Sequence, residues 1–148
     1  PEVVPDDVEL RWVTDAAGMA DVVAINDEAY QTLGMPAGPA VDAITDAARY
    51  TDPHIHTVVA HLDGRPVATA QTVLSHGIAG VYWVGTRAEA RGRGLGEVVT
   101  RAVTNRAFDL GAAAVGLQAS SMGQPIYARI GYEIAYDYRT FLRLTPAT

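Results

Sequence analysis

The chain contains no cysteine and no lysine. Without cysteine, disulfides, thiolate chemistry and cysteine-ligated metals are excluded. Without lysine, a phosphate loop ending in Gly-Lys-Ser or Gly-Lys-Thr cannot form. All eleven positive charges are arginines, and the net charge is −6. An acidic domain is a poor non-specific nucleic-acid binder, so no nucleic-acid partner is expected. Its summed field weakly favours a cationic substrate. No stretch reaches the roughly eighteen apolar residues of a membrane span, and none is expected. The start, Pro1-Glu-Val-Val-Pro-Asp-Asp7, is short and acidic and shows no secretory pattern, so a cytoplasmic location is expected. That start also lacks methionine, which leads us to expect the C-terminal part of a longer protein.

What the chain does have is enough apolar material for one core. At 148 residues, 49% hydrophobic and 19% charged, it reads as a single globular domain over 1–148. The most informative stretch is Arg91-Gly92-Arg93-Gly94-Leu95-Gly96. Before it, Ile78-Ala-Gly-Val-Tyr-Trp-Val-Gly-Thr86 is an apolar, aromatic run that predicts a strand. After it, apolar residues at 95, 98, 99, 102 and 103 predict a helix. A strand, a basic glycine-rich turn and a helix, in that order, make an anion site. Glycine lets backbone approach a phosphate, and a helix start offers N–H groups with no intrahelical partner. A dinucleotide-binding G-x-G-x-x-G fails in register, because the sixth position counted from Gly92 is Glu97.

The pattern that fits is [Q/R]-x-x-G-x-[G/A], matched by Arg91, Gly94 and Gly96. Some thirty residues on, Gln124-Pro-Ile-Tyr127-Ala-Arg-Ile-Gly131-Tyr132 follows the small apolar run Ala114-Val-Gly-Leu-Gln-Ala119. Together these resemble the acetyl-CoA pyrophosphate loop and the L-Y-x-x-x-G-F signature of the GNAT N-acetyltransferase superfamily. Ser120 stands where many members carry an asparagine, seven residues before the tyrosine. The resemblance runs over roughly residues 8 to 144.

The elements fall in a matching order. Val8–Val13 predicts a first strand, and Asp15 or Thr14 caps a helix running to Tyr30. Leu33-Gly-Met-Pro-Ala-Gly-Pro39 breaks the chain before a second helix over Ala40–Arg49. Thr57–Leu62 and Arg65–Leu74 flank an Asp63-Gly64 hairpin turn, and His76-Gly77 turns into the 78–86 strand. Helix 94–110, strand 114–119, helix 124–130 and strand 132–144 complete the set. The resemblance implies a mixed α/β (α+β) GNAT fold. Its mostly antiparallel sheet has about six to seven strands, is flanked by about four helices, and splays between strands four and five. A seventh strand has little sequence left to form it, since only Thr145-Pro-Ala-Thr148 follows. The edge of strand 132–144 is therefore expected to meet a second copy or another domain.

By the same resemblance, the chain would be an acyl-CoA N-acyltransferase. It would move an acetyl group from acetyl-CoA to a primary amine of an unidentified acceptor by direct attack in a ternary complex. The residues implied to bind acetyl-CoA are Val84, Gly85, Thr86, Arg91, Gly92, Arg93, Gly94, Leu95, Gly96 and Ser120. A backbone N–H near Val84 is the candidate oxyanion donor, and Gly85 suits a bulge. Tyr127 is the candidate general acid: a phenol with a pKa of about 10 can protonate a departing thiolate. The family often places a base on the fourth strand, but Ile78–Thr86 carries no carboxylate. Glu28, near the end of the first helix, is the remaining candidate on the acceptor side. Histidine is a residue type that can act as a base near neutral pH, but His76 sits in a hairpin turn. No metal site is expected: His54 and His56 would share a strand face, but no third ligand is in view. The alternative is a silent acyl-CoA-binding domain with a regulatory or structural role. The missing strand-four carboxylate, the absent seventh strand and the methionine-less start keep it open.

Overall fold

A computed structural model describes residues 4–32, 48–137, 139 and 141. Its elements are β1 (Val8–Trp12), α1 (Ala16–Gln31), α2 (Ala48–Thr51), β2 (Ile55–Leu62), β3 (Arg65–Ser75) and β4 (Ile78–Thr86), then α3 (Leu95–Asp109), β5 (Ala114–Leu117) and α4 (Gln124–Arg129). A short 3₁₀ turn, Ala88–Ala90, links β4 to the glycine-rich loop. The strands form one mixed sheet in the order β1-β2-β3-β4-β5, antiparallel except for the β4–β5 pair. Parallel neighbours need a crossover, and α3 supplies it.

Local chemistry explains the turns. Asp63-Gly64 and His76-Gly77 join neighbouring strands through two residues each, with φ of 51° and 75°, then 51° and 80°. Two positive φ values match the twist of a tight hairpin. Asp15 caps α1 by accepting the Gly18 N–H at 2.8 Å, which selects it over Thr14.

Two faces of the sheet are covered differently. Val58, Ala60, Ala68, Ala70 and Val81 meet Leu95, Val99, Ala102 and Val103 of α3. On the opposite face Val59 meets Met19, Val22 and Ile25 of α1, with Tyr50 of α2 and Trp83 packed alongside. Val58 and Val59 serve opposite faces because successive strand side chains alternate. Among the described residues, no helix is long and apolar enough to cross a membrane.

Several expectations change. Among the described residues the sheet has five strands rather than six or seven. Residues 132–137, read as the start of a strand, form no strand ladder among the described residues. The rest of that call, 138, 140 and 142–144, lies outside the described residues, as do 33–47. The 114–119 run shortens to Ala114–Leu117, since only those four residues find partners on β4. His54 precedes β2, with its N–H on the Asp52 carboxylate at 2.8 Å, so His54 and His56 share no strand face.

The α1 face holds one unusual contact. Asn26 lies on the buried stripe of α1, its Nδ2 donating to the Val22 carbonyl at 3.1 Å. Its Oδ1 is buried with no hydrogen-bond partner among the described residues. That oxygen presses on Gly85 of β4: a methyl group there would stand 2.6 Å from it and 3.4 Å from the Ala29 and Ile25 side chains. Gly85→Ala should therefore destabilise the fold by about 1–3 kcal/mol. Adding Asn26→Ala should recover part of that loss, because neighbours sharing one space are not additive. Thermal or urea unfolding of the four proteins in the cycle checks this, and strict additivity would refute the contact.

Candidate active site

β4 has two different halves. Ile78–Val81 pairs with Ala114–Leu117 of β5, and beyond Val81 that pairing stops while pairing with β3 continues. The sheet thus opens between β4 and β5 along Tyr82–Thr86, leaving backbone groups on that edge without a strand partner among the described residues. Within the open half, Trp83 and Val84 oppose the single residue Ala70, which is a β-bulge. Gly85 itself pairs with Thr69, so the bulge lies just before the residue expected to form it. Glycine is required at 85 by the approach of Asn26, not by the bulge.

Trp83 carries the bulge's strain, with φ at +53°, an uncommon region for a bulky side chain. Packing holds it there. Its ring meets Tyr30 of α1 edge-on, with centroids 5.8 Å apart at 70°, and lies against the α1 core. Val84 packs instead toward the α3 face. The bulge therefore splits two neighbouring side chains between the two faces beside the open edge.

Downstream, the chain turns from Thr86 into the loop that starts α3. Gly92 and Gly94 have φ of 79° and 77°, and a methyl group on either would meet nothing within 4 Å. Conformation, not space, demands glycine at both positions. Gly94 is the N-cap of α3 and supplies no side-chain cap, so the first-turn N–H groups face outward without one. Leu95 turns inward and is buried, anchoring the helix start to the core. Gly96 keeps the first turn close to both Thr86 and Ile126, at 3.6 and 3.8 Å from where its methyl would be. Arg91 donates to the Thr86 carbonyl at 3.3 Å and to the Thr32 hydroxyl at 2.8 Å, while Arg93 pairs with Asp7. Both arginines are thus positioned by contacts within the protein.

Tyr127 stands on α4, which the Glu97–Arg129 ion pair at 3.4 Å ties to α3; within α3, Glu97 also pairs with Arg101 at 2.9 Å. The hydrogen bond from Arg101 is the main reason the Glu97 carboxyl titrates below its ordinary value. The Tyr127 ring leans on Gly123, where a methyl group would stand 2.8 Å from it. Ser120 shapes this turn, its hydroxyl accepting the Gly123 N–H at 3.1 Å. Behind lies Tyr132, edge-on to Tyr127 at 6.1 Å, its hydroxyl sharing a 2.7 Å hydrogen bond with Thr104. The Tyr127 hydroxyl makes no hydrogen bond among the described residues. Burial pushes its pKa above the ordinary 10.0, with smaller contributions from Tyr30 and Tyr132.

Glu28 is fully engaged. Its two oxygens accept from Arg87 Nη1 at 2.8 Å and from the Ala88 N–H at 2.9 Å, clamping α1 to the end of β4. Arg87 also donates to the Pro66 carbonyl at 2.9 Å. His76 lies at the other end of β4, bonded to the Ser75 hydroxyl at 2.8 Å. A depression of about 490 Å³ lined by His54, Leu74, His76 and Leu110 is also at that far end. Four residues at the opening were not foreseen: Asn26, Tyr30, Trp83 and Arg87. Only Asn26 left a signal, as the one polar residue on an apolar helical stripe of Met19, Val22, Ile25 and Ala29.

Comparison with known proteins matches this arrangement. Residues 4–122 match the family described as the acetyltransferase (GNAT) domain. No curated protein sequence matches the chain. Its fold is similar to that of a GCN5-related N-acetyltransferase from Ralstonia eutropha JMP134: TM-score 0.73, 20% identity, 91% of this chain and 98% of that one covered. It is also similar to a predicted acetyltransferase with acetyl-CoA from Clostridium acetobutylicum, with TM-score 0.72, 18% identity and 93% and 96% coverage. A GCN5-related N-acetyltransferase from Kribbella flavida is 31% identical at TM-score 0.67, over 88% of this chain and 48% of that longer one. The open β4 edge, the glycine-capped α3 and the match over most of the chain lead to one assignment: this protein belongs to the GNAT acetyltransferase family.

Proposed function

We propose that the domain transfers the acetyl group of acetyl-CoA to a primary amine of its acceptor by direct attack within a ternary complex. The observation that carries this reading is the half-paired β4, whose open edge leads straight to the uncapped start of α3. Acetyl-CoA fits both ends of that track. The N–H groups of Leu95 and Gly96 suit its pyrophosphate, with Gly92 and Gly94 keeping the approach clear. The edge of Val84, Gly85 and Thr86 suits the amides of its pantetheine arm. Arg91 and Arg93 add positive charge, and Ser120 lies at the turn before Tyr127.

The amine nitrogen attacks the thioester carbonyl carbon, forming a C–N bond and an oxyanion. A backbone N–H at the Trp83–Val84 bulge stabilises that oxyanion, since a bulged residue leaves ladder groups free. Collapse breaks the C–S bond, and the Tyr127 hydroxyl donates its proton to the thiolate. A lysine-like amine sits about 3.4 pKa units above neutral, so supplying its neutral form takes about 4.6 kcal/mol. Glu28 does not accept that proton, because both its oxygens are committed; solvent water takes it, and a proton returned through water restores the Tyr127 hydroxyl after the thiol leaves. The silent-domain alternative finds no support in the comparisons and is not pursued.

Three outcomes are expected. Gly94→Val forces a β-branched residue into a left-handed conformation and crowds the phosphate approach. CoA affinity should fall at least about ten-fold in calorimetry, and an unchanged affinity in a folded variant would remove the loop from the site. Tyr127→Phe keeps the ring packed, so CoA affinity should hold while kcat drops about 10²- to 10⁴-fold. An unchanged kcat, with chemistry rate-limiting, would exclude Tyr127. The third concerns pH. A phenol whose pKa lies above 10.0 keeps its proton through neutral and mildly alkaline solution, so loss of the donor form should depress kcat only above pH 10. A Tyr127-dependent alkaline limb below pH 10 would contradict the assignment.

A further inference from the structure

We infer that Arg49 reads an anionic group on the acceptor, so that the substrate class is an amine also carrying a carboxylate or phosphate; this rests on the acetyl-transfer reading above. Thr57, Gln71 and Tyr82 are register partners across β2, β3 and β4. Register partners point to the same face, here the one that carries α1. Thr57 and Gln71 are buried and joined by a 2.8 Å hydrogen bond from Gln71 Nε2 to Thr57 Oγ1. That bond uses the donor end of the amide and leaves Oε1 to accept from Arg49 Nη1 at 3.2 Å. A buried amide thus holds the guanidinium at a defined place above the sheet. Tyr50, the next residue, fixes α2 against the α1 core.

The place matters. Gln71 faces Tyr82, and Tyr82 immediately precedes the Trp83–Val84 bulge. The Gln71 side chain that holds the guanidinium thus belongs to the strand paired with the bulge, where the thioester carbonyl would sit. Tyr82 is exposed, with its ring folded back over Gly80, so this part of the face is open.

Arg49 differs from five of the arginines here. Arg11, Arg87, Arg93, Arg101 and Arg129 each meet a carboxylate. Among the described residues Arg49 uses one donor, on a neutral amide, and pairs with no carboxylate. A guanidinium has five N–H donors in a fork that matches carboxylate or phosphate. A partly buried cation that meets no carboxylate among the described residues is unfavourable there, and an anion brought by the substrate would offset that. In a chain of net charge −6 the overall field repels anions, so an anionic acceptor needs such a local cation.

The test uses matched amines with acetyl-CoA: amino acids against their carboxamides, and amino-sugar phosphates against the parent amino sugars. Thiol release gives kcat/KM for each, and calorimetry in the presence of CoA gives binding of the anionic members. In at least one pair the anionic amine should be preferred about 10- to 100-fold, the range of charge-assisted hydrogen bonds. Arg49→Gln should bring that ratio close to one, and Arg49→Lys should keep part of it. The ratio is internal to each protein, so a general loss of stability does not mimic the effect. Whichever pair responds separates carboxylate from phosphate. A preference that survives in Arg49→Gln, or a wild type that favours the neutral members and binds no anionic one, would overturn the inference. Arg49-dependent anion binding without thiol release from any amine would uphold the Arg49 site and count against the transferase reading.

Discussion

β4 loses its second partner halfway along its length, and the functional architecture depends on that interruption. A strand paired on both sides has every backbone group committed, and nothing remains for a ligand. Here β5 supplies partners for only four residues of β4, and the remaining strand is held from one side by β3. Such a half-free strand must be stiffened by side chains, because the ladder no longer does it. Trp83 provides one brace through Tyr30, and Gly85 another by accepting Asn26 at close range.

The brace extends past the strand. Glu28 holds Arg87 and the Ala88 N–H, so the same helix that supports the bulge also fixes the exit from β4. Arg87 reaches back to the Pro66 carbonyl and closes the contact onto β3. On the other side of the opening, Glu97 and Tyr132 tie α4 to α3. The opening is therefore lined by elements that are each anchored to the sheet or to α3. Positioning of this kind is what a transfer reaction between two bound molecules needs, since much of its barrier is entropic.

Much of this was legible in the sequence, for specific reasons. Glycine at 92 and 94 announces left-handed backbone, and the apolar period after Leu95 announces a helix, so the loop and α3 were readable together. Asp63-Gly64 and His76-Gly77 gave both hairpin turns for the same reason. The bulge was misplaced because glycine normally signals one, whereas here a tryptophan takes the positive φ and tertiary packing supports it. Glu28 stands out in the sequence as an acceptor-side candidate, and its engagement is invisible there because its partners, Arg87 and Ala88, are some sixty residues away. Sequence spacing carries no information about such pairs. Residues 132–137 form no strand ladder among the described residues, because a strand also needs a neighbour and element order along the chain does not supply one.

The two faces of the sheet separate stability from specificity. On the α3 face, Val58, Ala60, Ala68, Ala70 and Val81 meet an apolar helix surface, which is the efficient way to hold a small sheet. The α1 face is different. Thr57, Thr69, Gln71, His61 and Asn26 are all buried, with His61 lying 3.6 Å from Asp21 and two polar atoms, Asn26 Oδ1 and His61 Nδ1, without hydrogen-bond partners among the described residues. Each such orphan costs about 1–3 kcal/mol relative to a satisfied or apolar equivalent. A face selected for packing alone would not retain them. Their concentration on the side of Tyr30, Trp83 and Arg49 fits a face that gives up packing energy to keep polar groups near the opening. The α3 face is thus held by apolar packing, while the α1 face carries most of the buried polar groups, on the side of Tyr30 and Trp83.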